Sequence, residues 1–207
     1  VHDENAVLAR ISEVTQKGGC VAWIRNTVAD ARKAYSLLQD ASPDQKLMLF
    51  HSRYAMGDRL EIEERVLDRF GKRSGSQDRA GWVLVGTQVL EQSLDFDVDL
   101  MISDLAPIDL IIQRAGRLHR HLRQANGDLS QDGRDGRSEP ELIILSPSLE
   151  GSPDASWYKT LFPTAADVYP DAGKLWLGAN ALKEAGNITT PGEQGEPGAV
   201  RHLVEAV

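Results

Sequence analysis

The strongest chemical signal in the sequence is a dense group of basic side chains in the segment 113–120, Gln-Arg-Ala-Gly-Arg-Leu-His-Arg. The segment places Gln113, Arg114, Arg117 and Arg120 on and just after a predicted helix that follows a strand. During phosphoryl transfer, negative charge spreads over the γ-phosphate oxygens, and guanidinium groups on a rigid element can bind that charge with paired hydrogen bonds. Isolated arginines at this spacing would more often form a solvated helix face. We favour the catalytic interpretation here because the neighbouring segments agree with it.

A second polar segment follows a predicted strand at 85–97, with the sequence Val-Gly-Thr-Gln-Val-Leu-Glu-Gln-Ser-Leu-Asp-Phe-Asp. A strand that ends at Gly86 and Thr87 presents backbone N–H groups and a hydroxyl, which suit a nucleic-acid phosphate. A threonine in such a turn is, taken alone, more often an ordinary turn residue. The whole run favours the binding interpretation.

Two further segments stand just past predicted strand ends, Trp-Ile-Arg-Asn-Thr at 23–27 and Phe-His-Ser-Arg-Tyr at 50–54. Ligands of parallel sheets bind at these carboxyl ends of the strands. Thr27, Ser52 and Arg53 could therefore hold the phosphates of a single strand without reading its bases. Each segment is weak alone, because a threonine after a strand is more often a helix N-cap and His51 is more often a structural histidine.

The elements that position these segments alternate between helices and strands. Apolar periodicity predicts helices at 4–16, 29–38, 58–70 and 108–117, and apolar runs predict strands at 20–24, 46–50, 82–85, 100–103 and 141–145. Strands without polar alternation, separated by helices, indicate a parallel sheet covered on both faces. The polar segment 123–140 predicts a long mobile loop. Beyond residue 147 the pattern predicts a helix at 175–185, a Pro/Gly loop at 190–198 and the start of a helix at 199–207.

Composition narrows the possible functions. The 207 residues have a net charge of −8 and a pI near 5.1, which argues against a protein that coats nucleic acid through a bulk positive field. The single cysteine, Cys20, excludes an intrachain disulfide, and no apolar run is long enough to span a membrane, so we expect a cytoplasmic protein without membrane contact. The doublet His2-Asp3 and the pair His119 and His121 lack further ligands, and we predict no metal site.

The four polar segments resemble motifs IV, IVa, V and VI of superfamily 2 helicases. The runs Glu-Gln-Ser at 91–93 and Gly-Arg-Leu-His-Arg-His at 116–121 are more similar to the helicase part of the CRISPR-associated helicase-nuclease of type I systems than to general DEAD-box or DEAH helicases. The resemblance covers about residues 18–147. It implies a RecA-like three-layer α/β fold with a mainly parallel sheet, helices on both faces and a C-terminal appendage. Residues 1–148 would form the second RecA-like domain, and residues 149–207 an incomplete extension or the start of a linker.

The resemblance also implies a role for each site residue. Arg117 and Arg120 would reach the γ-phosphate of ATP, and Gln113 would lie near the attacking water. Asp95 would accept from the ATP ribose, with Arg114 and Gly86 also near the nucleotide. The implied nucleic-acid contacts are Asn26, Thr27, His51, Ser52, Arg53, Thr87 and Gln88.

The same resemblance implies cofactors and partners that this sequence does not itself supply. No Gly-Lys-Ser/Thr phosphate loop and no Asp-Glu-Ala-Asp/His sequence occurs, so ATP and Mg²⁺ would be held mainly by a first RecA-like domain. The expected partners are single-stranded DNA, an RNA-guided CRISPR surveillance complex, and the first RecA-like and HD nuclease domains of a longer polypeptide. The alternatives are a superfamily 2 helicase acting on RNA or in DNA repair, and a catalytically silent docking module with a helicase fold.

Overall fold

The fold is a five-stranded, wholly parallel sheet with the strand order β2-β3-β1-β4-β5. The computed structural model describes residues 3–92, 94–188 and 198–206. The strands are β1 (Val21–Ile24), β2 (Lys46–Phe50), β3 (Trp82–Gly86), β4 (Leu100–Asp104) and β5 (Glu141–Leu145). The helices are α1 (Glu4–Gln16), α2 (Val28–Ala41), α3 (Met56–Phe70), α4 (Ser76–Arg79), α5 (Val89–Gln92), α6 (Ile108–Ala115), α7 (Trp157–Leu161), α8 (Ala172–Ala185) and α9 (Ala199–Glu205), with a 3₁₀ turn at Ala165–Asp167.

Helices cover both faces of the sheet, as the uninterrupted apolar strands predict. Successive β1 residues point to opposite faces, so Val21 and Trp23 join one core cluster and Ala22 and Ile24 the other. The first cluster includes side chains of α1 and α2, and the second includes side chains of α3. The predicted three-layer RecA-like architecture is therefore confirmed.

The end of α6 differs from the prediction. The helix stops at Ala115 rather than at 117, with Gly116 as its C-cap. The chain then turns towards the segment before β4, where the Arg117 carbonyl accepts from the Val98 N–H and the His119 N–H donates to the Val98 carbonyl, at 3.3 and 3.2 Å. These contacts with a distant segment explain the early end, and they place Arg117 and Arg120 in an extended turn rather than on a helix face.

The segment 123–140 is irregular, as predicted, but it is anchored to the sheet rather than free. The Arg123 and Arg137 side chains are 0% and 6% exposed, and both bond Asp97, with Nε and Nη1 at 2.6 and 3.0 Å from Asp97 Oδ2. The ion pairs anchor two side chains of this segment, which the expectation of a long mobile loop did not include. Polar composition indicates a loop, but it does not reveal that two of its arginines have acceptors elsewhere.

The C-terminal extension shares the core of the sheet domain in the part that the structure describes. Tyr158, Phe162 and Leu175 belong to the same buried cluster as Trp23, and the Tyr158 hydroxyl donates to the Leu105 carbonyl at 2.7 Å. The predicted helix at 175–185 is the C-terminal part of α8. Residues 190–197 of the predicted loop, and Ser93 of the 85–97 segment, lie outside the described residues. No helix within the described ranges is both long and apolar enough to cross a membrane.

Candidate nucleotide and nucleic-acid site

Arg117 and Arg120, in the turn that follows α6, lie close to Asp95 in the segment before β4. Arg120 Nε donates to Asp95 Oδ1, and the two side chains are 42% and 54% exposed. This hydrogen bond lowers the pKa of Asp95, although burial acts in the opposite direction. The structure thus places three predicted nucleotide-site residues side by side, with Gln113 exposed on the last turn of α6.

Arg117 is half-buried, and its guanidinium group is held by the segment that follows β3. Its Nη2 donates to the Glu91 carbonyl at 2.8 Å. Burial and the neighbouring Arg120 lower the pKa of Arg117, but a guanidinium group is too basic to lose its proton at neutral pH. A cation that is partly desolvated beside a second cation is well suited to binding an anion with several negative oxygens.

Arg114 lies inside the protein, away from the exposed pair. It is fully buried, and its Nε donates to Glu91 Oε1 at 2.6 Å. Its Nη1 donates to Ser103 Oγ and to the Asp104 carbonyl at 2.8 and 3.1 Å, and its Nη2 donates to Asn26 Oδ1 at 3.1 Å. A direct bond from Arg114 to a nucleotide would require these acceptors to be released.

Asn26 and Gln88, which were predicted to contact nucleic acid, hold the loops at the carboxyl edge of the sheet. Asn26 is buried, and its Nδ2 donates to the Leu105 carbonyl at 2.7 Å and to Tyr158 Oη at 2.8 Å. Gln88 Nε2 donates to the Asn26 carbonyl at 2.8 Å and to Tyr169 Oη at 3.2 Å. The extension therefore covers this part of the predicted nucleic-acid surface.

The glycine and the two threonines of the predicted site are also tied into the scaffold. A Cβ on Gly86 would lie 2.5 Å from Leu90 Cδ1 and 2.7 Å from the Phe50 carbonyl oxygen, so packing alone requires glycine there. Thr27 caps α2, because its Oγ1 accepts from the Asp30 N–H at 3.1 Å and donates to the Asp30 carboxylate. Thr87 is buried.

Ser52 and Arg53 remain exposed beside a buried histidine. The His51 ring stacks on Tyr54, with 4.4 Å between ring centroids, and its Nδ1 accepts from the Arg53 N–H at 3.3 Å. Burial and the charge of Arg32 lower the pKa of His51, so the ring is neutral at physiological pH. The loop is thus held from within while its tip faces solvent.

The interpretation of the sequence missed a buried ion-pair cluster at the amino edge of the sheet. Asp97 accepts from Arg79 Nη1 at 2.8 Å as well as from Arg123 and Arg137. Burial acts to raise the pKa of Asp97, but these guanidinium groups outweigh it and hold that pKa below its usual value. The partners lie 18 to 40 residues apart along the chain, so no local motif could have identified the cluster. Within the described ranges, no group of three or more His, Cys, Asp or Glu side chains is arranged to hold a metal ion.

Comparison with known proteins finds similarity to CRISPR-associated nuclease/helicases. Residues 17–123 match the family model described as "CRISPR-associated nuclease/helicase Cas3, C-terminal". The chain is 42% identical over 146 residues to a CRISPR-associated endonuclease/helicase Cas3 of Escherichia coli, covering 70% of this chain and 15% of that protein. It is 42% identical over 111 residues to the Streptococcus thermophilus Cas3, covering 54% of this chain and 12% of the relative. The chain therefore spans only a small part of these relatives.

Two solved structures superimpose on almost the whole of this chain. The T. fusca Cas3 structure with ADP superimposes with a TM-score of 0.74 at 37% identity, covering 98% of this chain and 21% of that one. A chain of a structure described as a CRISPR RNA-guided surveillance complex before nicking gives a TM-score of 0.67 at 33% identity, with coverage of 99% and 23%.

Proposed function

Since this chain belongs to the family of CRISPR-associated nuclease/helicase Cas3 C-terminal domains, we propose that it works as half of an ATP-driven motor that moves along single-stranded DNA. The proposed half is the second RecA-like domain, which closes on a first RecA-like domain of the same polypeptide. The observation that carries this proposal is the arrangement of Arg117 and Arg120 beside Asp95 at the surface, where an ATP bound across the cleft could meet them.

In the proposed reaction, Arg117 and Arg120 bind the charge that develops on the γ-phosphate oxygens, and Gln113 orients the attacking water. Asp95 exchanges its bond to Arg120 for a bond from a ribose hydroxyl. Mg²⁺ would neutralise phosphate charge, and its protein ligands would come mainly from the first RecA-like domain. This chain alone would therefore bind ATP weakly and would not turn it over.

The proposed DNA surface includes fewer direct contacts than the resemblance implies. Ser52 and Arg53 are exposed at the carboxyl edge of the sheet and would contact the phosphates of the strand. Thr27 and Thr87 would support the loops that face the strand. Asn26, Gln88 and His51 would contribute from beneath, because their side chains already bond or stack inside the protein.

We also propose that the full-length protein carries an HD nuclease domain and is recruited to an RNA-guided surveillance complex in a prokaryotic cytoplasm. The names of the relatives, which include both nuclease and helicase, support the first part. The similarity to a chain of a surveillance-complex structure supports the second.

The test is DNA-stimulated ATP hydrolysis by the full-length protein with Arg117→Lys and Arg120→Lys. Comparable arginine fingers contribute roughly 10³ to 10⁵ in rate, and lysine cannot reproduce the planar, bidentate fork. We expect kcat to fall by about that factor while nucleotide affinity changes little, because the bonds strengthen in the transition state.

Arg10→Lys is a control for the loss of a guanidinium group, because Arg10 is 34% exposed and its ion-pair partners, Glu13 and Glu141, are not among the proposed site residues. If both finger variants remain folded and hydrolyse ATP at near wild-type rates, these arginines are not fingers. A wild-type protein that hydrolyses no ATP with DNA present would instead support the silent docking module.

A further inference from the structure

A continuous set of hydrogen bonds, buried except for the partly buried last one, joins the proposed DNA edge of the sheet to the proposed finger Arg117. It begins at Asn26, which precedes Thr27. Asn26 Oδ1 accepts from Arg114 Nη2 at 3.1 Å. Arg114 Nε then donates to the Glu91 carboxylate at 2.6 Å, and the backbone carbonyl of the same Glu91 accepts from Arg117 Nη2 at 2.8 Å. Three segments of the chain that are far apart in sequence therefore meet at one guanidinium group.

We propose that Arg114 is a positioning residue, which sets the finger Arg117 according to the position of the loop that carries Asn26 and Thr27. The inference rests on the proposed function, because it assumes that this edge meets a single strand and that Arg117 meets ATP. It gives Arg114 a different role from direct nucleotide binding. Arg114 would be the part through which a bound strand stimulates hydrolysis.

The geometry of Arg114 requires a guanidinium group. Its three nitrogens bond four acceptors on β4, α5 and the loop after β1, all of them buried. The Glu91 carboxylate depends on this partner, because within the described residues its Oε2 is buried without a hydrogen-bond partner. A shift of one acceptor must therefore move the guanidinium or leave a buried polar group unpaired, which is costly at low dielectric.

The Asn26 end of the set is also fixed by the extension. Asn26 Nδ2 donates to Tyr158 Oη at 2.8 Å, and Gln88 Nε2 bridges the Asn26 carbonyl and Tyr169 Oη at 2.8 and 3.2 Å. A strand that displaced this loop would therefore act against both the extension and Arg114. Arg114 in turn bonds Glu91 on α5, whose carbonyl accepts from Arg117.

The test uses the full-length protein and compares Arg114→Lys, Arg117→Ala and the double variant. Lysine keeps the charge but cannot bond the separated acceptors together. We expect Arg114→Lys to lower the DNA-stimulated kcat by about 10²-fold, which is typical of a misplaced catalytic group, with the KM for ATP within about twofold. In the Arg117→Ala background, the same change should cost less than about twofold, since residues that act as a unit are not additive.

Arg79→Lys is the matched control for the loss of a buried guanidinium. Arg79 is as buried as Arg114, but it bonds Asp97 and Asp99 at the other edge of the sheet. Its cost should be the same in the wild-type and Arg117→Ala backgrounds. Glu91→Gln provides a second, conservative change within the set, and it should show the same dependence on Arg117 as Arg114→Lys.

The outcomes separate this inference from the proposed function. An unchanged rate in folded Arg117→Ala would remove the finger itself, and the proposed function with it. A slow Arg117→Ala in which Arg114→Lys still costs its full factor would overturn only the positioning role. If Arg114→Lys and Glu91→Gln both fail to fold while Arg79→Lys folds, the role of Arg114 is structural and the inference is wrong.

Discussion

Replacing Asp97 with asparagine should destabilise the chain more than any change to a surface ion pair. Asp97 is fully buried and accepts hydrogen bonds from Arg79, Arg123 and Arg137. Asparagine keeps the size of the side chain but removes the charge and exchanges one acceptor oxygen for a donor group. The three guanidinium groups would then share one fewer anion.

The magnitude follows from what each arginine retains. Arg79 and Arg137 still pair with Asp99, at 3.0 and 2.8 Å. Among the described residues, Arg123 then keeps hydrogen bonds only to neutral acceptors, the Gly71, Ser74 and Gly127 carbonyls and the Ser74 hydroxyl. One buried charge is thus left without a hydrogen-bonded anion, which costs about 3–5 kcal/mol. For a chain of this length each kcal/mol lowers the Tm by about 2–4 °C, so a fall of about 6–20 °C is expected.

The assay is thermal unfolding of the chain by circular dichroism, with Glu141→Gln as the control. Glu141 is 42% exposed in its pair with Arg10, and its loss should cost less than about 1 kcal/mol. Because the pKa of folded Asp97 lies below its usual value, its stabilising effect is complete above the unfolded pKa and is lost as the pH falls through the folded pKa. The gap between wild type and Asp97→Asn should therefore narrow at acid pH. A fall in Tm no larger than that of Glu141→Gln would refute the argument.

Three further predictions concern the DNA edge, the buried thiol and the isolated chain. In the full-length protein, Arg53→Ala should weaken salt-dependent DNA binding, measured by fluorescence anisotropy, together with DNA-stimulated hydrolysis. Thr27→Ala should instead lower the stability by about 1 kcal/mol, because the α2 cap is lost. Unchanged DNA affinity in Arg53→Ala would show that this edge of the sheet does not bind the strand. Burial raises the pKa of Cys20 to about 12, so native Cys20 should resist iodoacetamide at pH 8 and react only on unfolding, and rapid native labelling would contradict its burial. The chain alone should hydrolyse no ATP, and steady turnover by the purified chain would refute the half-site proposal.

The sequence was sufficient to predict the sheet and to place the polar segments near its strand ends, because the strands are apolar runs without alternation. It was not sufficient to predict that Arg114 is buried while Arg117 is only half-buried. At a spacing of three residues the two share a face of any continuing helix, and only the end of α6 at Ala115 moves them apart. That end depends on bonds to Val98, which no local pattern encodes.

For a related reason, the sequence did not predict that the C-terminal extension covers Asn26 and Gln88. Both residues follow strand ends and are polar, which is equally typical of a ligand contact and of a loop that another segment bonds. Tyr158 and Tyr169 decide between the two, and they lie more than 80 residues away along the chain. The resemblance grouped Asn26 and Gln88 with Arg53 as nucleic-acid contacts, whereas burial divides this group into exposed residues and supporting residues.

The proposed fingers need one bond that a phosphate can replace and another that keeps the guanidinium group oriented. The exposed pair of Arg120 and Asp95 contributes little to stability, since ion pairs in solvent contribute about 0–1 kcal/mol, so exchanging the carboxylate for a phosphate costs little. Orientation at the proposed site must then come from groups that are not exchanged. Arg117 has such an anchor in the Glu91 carbonyl, and Glu91 is fixed in turn by the buried Arg114. Loss of the Asp95 carboxylate should therefore lower the rate of ATP hydrolysis less than loss of the buried Arg114 that fixes Glu91, although Asp95 bonds the finger Arg120 directly.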